Sequence, residues 1–333
     1  MDGDAMTGWS GTRVLVTGAG GFIGSHLAER LVELGASVRA FVRYRSSGSW
    51  GWLDRSPLKG DLEVVAGDVT DRDAVAQAMQ EVRVVFHLAA FIAIPYSYQA
   101  PESFVRANVQ GTLALLQAAR AQGVSRFVHT STSEVYGTAR YVPIDEHHPL
   151  QAQSPYAATK IAADKLVESF GCSFGLPVVT VRPFNTFGPR QSARAIVPTI
   201  ITQCLTGETV RVRNLTPTRD FTYVSDTVEG FVRAADVPQA VGRTINLGTG
   251  REISIGELAR LIAELAERQV EVTQDTQRVR PQDSEVERLL ADTRLAQELL
   301  GWRPAVTLEE GLRLTSEWMQ EHLDGYRPGA YVV

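Results

Sequence analysis

Two periodicities alternate along the first half of the chain. Short β-branched apolar runs at 13–17, 37–42, 62–65, 82–90, 126–129 and 177–181 read as strands. Between them, 25–34, 102–122 and the stretch from 156 to about 170 carry apolar residues at helical spacing. Strand and helix in regular alternation predict an α/β fold, a doubly wound parallel sheet covered on both faces. From about residue 185 the helical segments shorten and arginines gather in or beside loops, which predicts a smaller C-terminal substrate-binding lobe. The expected division is a disordered, small and polar leader over 1–11, a dinucleotide-binding domain over 12–184, and a substrate lobe over 185–333. Residues 221–249 look like sheet and helix that return to the first domain.

The junctions between these elements carry the chemistry. Strand 13–17 runs into Gly18-Ala-Gly-Gly21-Phe22-Ile23-Gly24 and then directly into a helix. Glycines at that spacing let the chain turn tightly and set backbone N–H groups and a helix N-terminus against a pyrophosphate, the Rossmann arrangement. The second strand ends in Val42-Arg43-Tyr44-Arg45, with no acidic residue to meet an adenosine ribose. A guanidinium there either pairs with the 2′-phosphate of NADP or is a solvated loop charge. Gly67-Asp68-Val69 closes the third strand, and Asp68 either accepts from an adenine amino group or caps the helix beginning near Asp71. The fourth ends in Leu88-Ala89-Ala90, small enough for a flat ring to approach, and the loop 91–101 is expected to lie over the site. Trp50 and Trp52 read as packing residues.

Thr-Ser-Thr132-Ser133-Glu134-Val-Tyr-Gly occupies 130–137, just past a strand, where open α/β sheets place their ligands. Ser-Pro-Tyr156-Ala-Ala-Thr-Lys160 follows at 154–160. Tyr156 and Lys160 lie one helical turn apart, so the ammonium is expected to favour the phenolate and suit the tyrosine to proton transfer.

Composition narrows the class. The 333 residues are 44% hydrophobic and 21% charged, with a net charge of −5, the balance of an ordinary globular protein that is not a general nucleic-acid binder. Two cysteines, Cys172 and Cys204, argue against disulfide frameworks and cysteine zinc sites. His147 and His148 have no companions at ligand spacing, so no metal is expected and both read as solvated. No apolar run approaches the ~20 residues of a membrane span, and the first residues lack a signal-peptide core, which predicts a cytoplasmic protein.

With these residues in place, the chain resembles the extended short-chain dehydrogenase/reductase superfamily over nearly its whole length. The landmarks are the glycine turn, Gly67-Asp68-Val69, Leu88-Ala89-Ala90, Asn108, Tyr156 with Lys160, Arg182-Pro183, Asn185, and the late Arg280-Pro, Ala291-Asp292 and Leu300-Gly301-Trp302. Ser49–Asp54, Ala93–Tyr98, Arg190–Ala195 and Leu215–Asp220 are most similar to nucleotide-N-acetylglucosamine 4,6-dehydratases of the legionaminic acid pathway type. The resemblance implies a tightly held NAD or NADP that is recycled in each turnover. It also implies a nucleotide-sugar substrate and a homodimer formed by the helices around 102–121 and 156–170. By the same resemblance, Asn108 and Pro183 join the glycine turn, Asp68, Val69, Tyr156 and Lys160 around the cofactor. Asn185, Arg219 and Arg280 hold the sugar nucleotide, with Arg194 either joining them or balancing nearby acids. Tyr156 would take the 4-hydroxyl proton, Glu134 the C5 proton, and Thr132 would hydrogen-bond the 4-oxygen. Ser133 stands where many dTDP-glucose 4,6-dehydratases carry aspartate, so Ser133, Glu134 or a water remains as donor to the departing C6 hydroxyl.

Overall fold

The computed structural model describes residues 8–274 and 282–326. The strands are β1 (Arg13–Thr17), β2 (Ser37–Arg43), β3 (Leu62–Gly67), β4 (Val84–His87), β5 (Arg126–Thr130), β6 (Val178–Pro183), β7 (Asn185–Phe187), β8 (Thr209–Val212), β9 (Thr218–Tyr223), β10 (Thr244–Leu247), β11 (Glu252–Ser254) and β12 (Glu271–Gln274). The helices are α1 (Phe22–Glu33), α2 (Arg72–Ala78), α3 (Ile94–Gln99), α4 (Pro101–Phe104), α5 (Gly111–Gln122), α6 (Pro155–Phe174), α7 (Ile196–Thr206), α8 (Val224–Asp236), α9 (Ile255–Leu265), α10 (Arg294–Leu300) and α11 (Leu308–Glu321).

Seven parallel strands form the main sheet in the order β10-β6-β5-β4-β1-β2-β3. The winding reverses between β1 and β4, which opens a crevice at their carboxyl ends. Buried β-branched residues feed both faces of each strand, as a covered parallel sheet requires. Val14 and Val16 of β1 pack with α1, α8 and Trp302 on one face, while Leu15 packs with Val75, Leu115, Leu116 and Val167 on the other. Val84 and Phe86 against Val85 repeat the alternation in β4. A third core, built on Phe187, Ile200, Ile201, Leu258, Ile262 and Leu312, holds α7, α9 and α11 over the small sheets β11-β9-β7 and β12-β8.

Three boundaries differ from the sequence reading. The leader was expected to run to Gly11, yet Trp9 is buried beside Phe86 and its indole donates to Asp236, because a large apolar ring gains more from the core than its short segment loses in ordering. The return to the first domain extends beyond 221–249: after β10 pairs with β6, α10 also packs back and contributes Ala296, Leu300 and Trp302 to the same core. The helix expected over 102–122 is real, but Val105–Gln110 within it is a π-helical turn that swings Asn108 inward.

Candidate functional site

The glycine turn joins β1 to α1 at the crevice. Gly18 has φ +72°, and a Cβ on it would lie 2.8 Å from the Ala89 nitrogen. On Gly24 a Cβ would lie 2.2 Å from the Gly18 carbonyl oxygen. Gly21 caps α1 without a side chain, and the first helical turn carries no acidic residue, so its positive end faces the crevice uncompensated. This backbone cradle and bare helix end fit the pyrophosphate of a dinucleotide. Leu88 and Ala89 form the opposite wall, where their N–H groups donate to the Thr17 hydroxyl at 3.2 Å.

At the adenosine end, Arg43 lies exposed at the end of β2 with its guanidinium 5.2 Å from the Phe91 ring centroid. Asp68 accepts from the Thr70 N–H and hydroxyl, and these bonds together with the Arg43 and Arg106 charges hold its carboxyl below the usual range. The helix-capping alternative falls to Asp71, whose carboxylate accepts from the Asp73 and Ala74 N–H groups.

Asn108 is buried and tied to the loop after β4 and to α6. Its amide donates to the Phe91 carbonyl at 2.9 Å and the Thr159 hydroxyl at 3.0 Å, and its oxygen accepts from the Phe91 N–H at 2.8 Å. It therefore braces the start of the 91–101 loop against α6. That loop contains α3, which begins at Ile94.

The Tyr-Lys helix α6 starts at Pro155, capped by Ser154, whose hydroxyl accepts from the Ala157 N–H at 3.1 Å. Thr132 opens a 3₁₀ turn, Ser133–Tyr136, directly after β5. Its hydroxyl accepts from the Glu134 N–H, and both the Thr132 side chain and the Glu134 charge act on the Tyr156 phenol. Thr132, Glu134 and Tyr156 thus converge from two elements, and Ser133 is buried beside them. Lys160 is buried, and its Nζ donates to the Thr130 carbonyl at 2.5 Å.

The electrostatics reverse one expectation. Tyr156 is pushed up, not down: burial disfavours the phenolate, and the Glu134 and Asp164 charges add to that against the Thr132 hydrogen bond. Burial also lowers Lys160 to about 8, with Asp164 opposing.

Beneath the pair lies a network that sequence reasoning missed. Asp164 is held at about 2 despite its burial by the His129 hydrogen bond and the Arg182 charge; it accepts from His129 Nε2 at 3.2 Å, Arg182 Nη2 at 2.9 Å and Ser131 Oγ at 2.8 Å. Burial drops His129 to about 4, so its ring is neutral and donates through Nε2. Asp164 follows Lys160 by four residues and Tyr156 by eight. An acid on that face, among Ile161, Ala162 and Ala163, was the available signal.

In the outer lobe, Asn185 Oδ1 is buried without a hydrogen-bond partner. Arg219 is buried on β9, with Nη2 3.8 Å from Glu285 Oε1. Arg194 lies in the loop before α7, and Arg280 falls outside the described residues. Arg190 instead clasps α1, with both guanidinium nitrogens on Glu29 at 2.9 and 3.1 Å. Trp52 packs edge-on against Trp318 of α11. His147 is exposed as expected, whereas His148 is buried, accepting from the Arg140 N–H at 3.0 Å and stacking edge-on with Tyr136. Among the described residues no metal-ligand cluster occurs, and no helix is long and apolar enough to cross a membrane.

A Rossmann-type parallel sheet with a tyrosine–lysine helix beside a threonine- and glutamate-bearing strand end defines the short-chain dehydrogenase/reductase type of sugar-nucleotide dehydratase and epimerase. The chain belongs to the GDP-mannose 4,6-dehydratase family, whose family model matches residues 15–315. It is 35% identical to a UDP-glucose 4-epimerase of Mycolicibacterium smegmatis, over 92% of this chain and 98% of that one. It is 32% identical to a dTDP-glucose 4,6-dehydratase of Xanthomonas campestris, over 95% and 96% of the two chains. Among solved structures, DesIV, a dTDP-glucose 4,6-dehydratase of Streptomyces venezuelae with NAD bound, superposes with a TM-score of 0.87. That alignment has 29% identity and covers 95% of this chain and 99% of DesIV.

Proposed function

We propose that the protein is a nucleotide-sugar 4,6-dehydratase acting on UDP- or GDP-N-acetylglucosamine. The observation that carries the reading is the convergence of Thr132, Glu134 and Tyr156, which sets a phenol, a hydroxyl and one carboxylate beside each other. A nicotinamide dinucleotide, held by Gly18, Gly21, Phe22, Ile23, Gly24, Asp68, Val69, Leu88, Ala89, Ala90 and Pro183, supplies a reversible hydride acceptor. Arg43 beside the adenosine end favours NADP, and an excess of NADP over NAD in the denatured protein is the corresponding readout.

Tyr156 accepts the proton of the sugar 4-hydroxyl as the C4 hydrogen leaves as hydride, and Thr132 holds the 4-oxygen. The resulting 4-ketone acidifies C5, and Glu134 removes that proton. The C6 hydroxyl then leaves as water, its proton coming from Ser133, Glu134 or solvent. Returning hydride to C6 and a proton to C5 gives the 4-keto-6-deoxy sugar, with the cofactor restored. Lys160 holds its charge beneath the tyrosine. Asn185, with its buried unpartnered oxygen, Arg219 and Arg280 bind the nucleotide portion, and Arg194 borders it.

The similarity to a UDP-glucose 4-epimerase favours a second reading, a UDP-sugar 4-epimerase that shares the C4 oxidation, and a UDP-glucuronate-type epimerase/decarboxylase would begin with the same step. Product mass separates them. Incubation with UDP-N-acetylglucosamine is expected to yield a product lighter by one water. An unchanged mass with an altered NMR spectrum identifies epimerisation, and loss of carbon dioxide from UDP-glucuronate identifies decarboxylation.

A further inference from the structure

The residues of the proposed reaction come from two separate pieces of backbone. Tyr156 and Lys160 ride on α6, whereas Thr132 and Glu134 ride on the 3₁₀ turn that follows β5. Lys160 donates to the Thr130 carbonyl of β5, short of that turn. A buried guanidinium lies between the two pieces. Arg182 of β6 sends Nε and Nη2 to Asp164 Oδ2 at 3.2 and 2.9 Å, and Nη1 to the Tyr136 hydroxyl at 2.9 Å. Asp164 belongs to α6, and Tyr136 is the last residue of the 3₁₀ turn.

Both anchors are held from behind. Asp164 also takes Ser131 and His129 of the β5 end. The Tyr136 hydroxyl donates to Asn246 Oδ1 at 2.8 Å, and Asn246 is fixed to the Ile144 carbonyl and the Glu146 carboxylate. The guanidinium also lies 5.0 Å from the Tyr136 ring centroid, so ring and hydroxyl are both engaged. All three side chains are buried, and a planar fork with donors on two sides can serve both partners where a single ammonium cannot.

We propose that Asp164, Arg182 and Tyr136 form a positioning bracket that sets the Glu134-bearing turn in register with the Tyr156-bearing helix. The inference rests on the reaction proposed above. Within it, the bracket matters most to the step that needs both pieces at once, proton removal at C5 after oxidation at C4. Hydride removal draws on Tyr156, Lys160 and the cofactor, on the α6 side and the sheet, and takes from the turn only the Thr132 hydrogen bond to the 4-oxygen. The C5 step requires Glu134 to reach the oxidised sugar from the turn. Asp164 and Arg182 belong to the shared side of the bracket, while Tyr136 belongs to the Glu134 side alone.

The test uses full-length Tyr136→Phe, which removes one hydroxyl, and Arg182→Lys, which keeps the charge and loses the fork. In Tyr136→Phe, backbone amides of 131–137 are expected to exchange hydrogen faster while those of 155–164 keep their protection. Arg182→Lys is expected to raise exchange in both. With UDP-N-acetylglucosamine, solvent deuterium incorporation at C5 is expected to fall roughly tenfold to a hundredfold in Tyr136→Phe. Reduction of bound nicotinamide on mixing with substrate is expected to fall by a smaller factor in that variant, since it loses only the Thr132 contact. Unchanged amide protection at 131–137, or equal loss of reduction and C5 exchange, overturns the bracket. If the wild-type protein reduces no cofactor with any sugar nucleotide, the proposed function fails, and the amide measurement still decides the bracket.

Discussion

At the scale of single residues, burial outweighs neighbouring charge. Tyr156 lies one turn from Lys160, and proximity alone predicts a lowered phenol; desolvation wins, because the lysine is itself buried and directed to a carbonyl. Burial therefore disfavours the phenolate in the cofactor-free chain. Tyr156→Phe is expected to abolish turnover while leaving bound cofactor at wild-type stoichiometry, and Glu134→Gln to keep cofactor reduction but lose C5 deuterium exchange. Rapid-mixing absorbance and product NMR check both, and wild-type exchange in Glu134→Gln removes that residue from the mechanism.

Lys160 makes a prediction in stability. Its folded value near 8 lies below the ordinary lysine value, so between pH 8 and about 10.4 the unfolded chain binds the extra proton and stability gains as pH rises. Lys160→Met is expected to lack that gain in denaturant titrations of the cofactor-free protein. An identical pH slope in variant and wild type contradicts it.

At the scale of elements, the strand, turn and helix around Gly18–Gly24 depend on absent side chains. A Cβ at Gly24 would meet the Gly18 carbonyl oxygen at 2.2 Å, a backbone atom that cannot swing aside. Gly24→Ala is thus expected to distort the pyrophosphate cradle. Purified variant should carry little cofactor and bind added NAD at least tenfold more weakly, a loss of about 1.4 kcal/mol, by calorimetry. The same element was readable in the sequence, since a β-branched run, three spaced glycines and an amphipathic segment each have a local physical meaning. The π-helical turn at Val105–Gln110 was not, because nothing local distinguishes it from α-helix; its reward is tertiary, the bonds of Asn108 to Phe91 and Thr159.

At the scale of the whole molecule, the resemblance implies pairing through α5 and α6. Val105, just before α5, and Phe174, at the end of α6 with the Arg120 guanidinium 3.9 Å from its ring centroid, are large apolar residues left exposed, at 44% and 48%. We propose a homodimer through these two helices. Sedimentation is expected to give twice the 36.4 kDa chain mass, and Phe174→Glu to shift it toward the monomer; a monomer at micromolar wild-type protein refutes the assignment.

The sequence by itself determined the alternation of strand and helix, the glycine turn, and the tyrosine–lysine spacing, because each is a short-range pattern whose physics is complete within a few residues. It also carried Thr132, Glu134 and Asn185 as candidates. Only the tertiary structure decided what surrounds them. Trp9 enters the core from a segment with no apolar pattern, and residues 294–302 return to the first sheet after a detour through the outer lobe. Asp164, Arg182 and Tyr136, spread over 46 positions of the chain, meet as one buried network. Such meetings depend on strand order and on which charges lose their water together, and neither is written in any local stretch of residues.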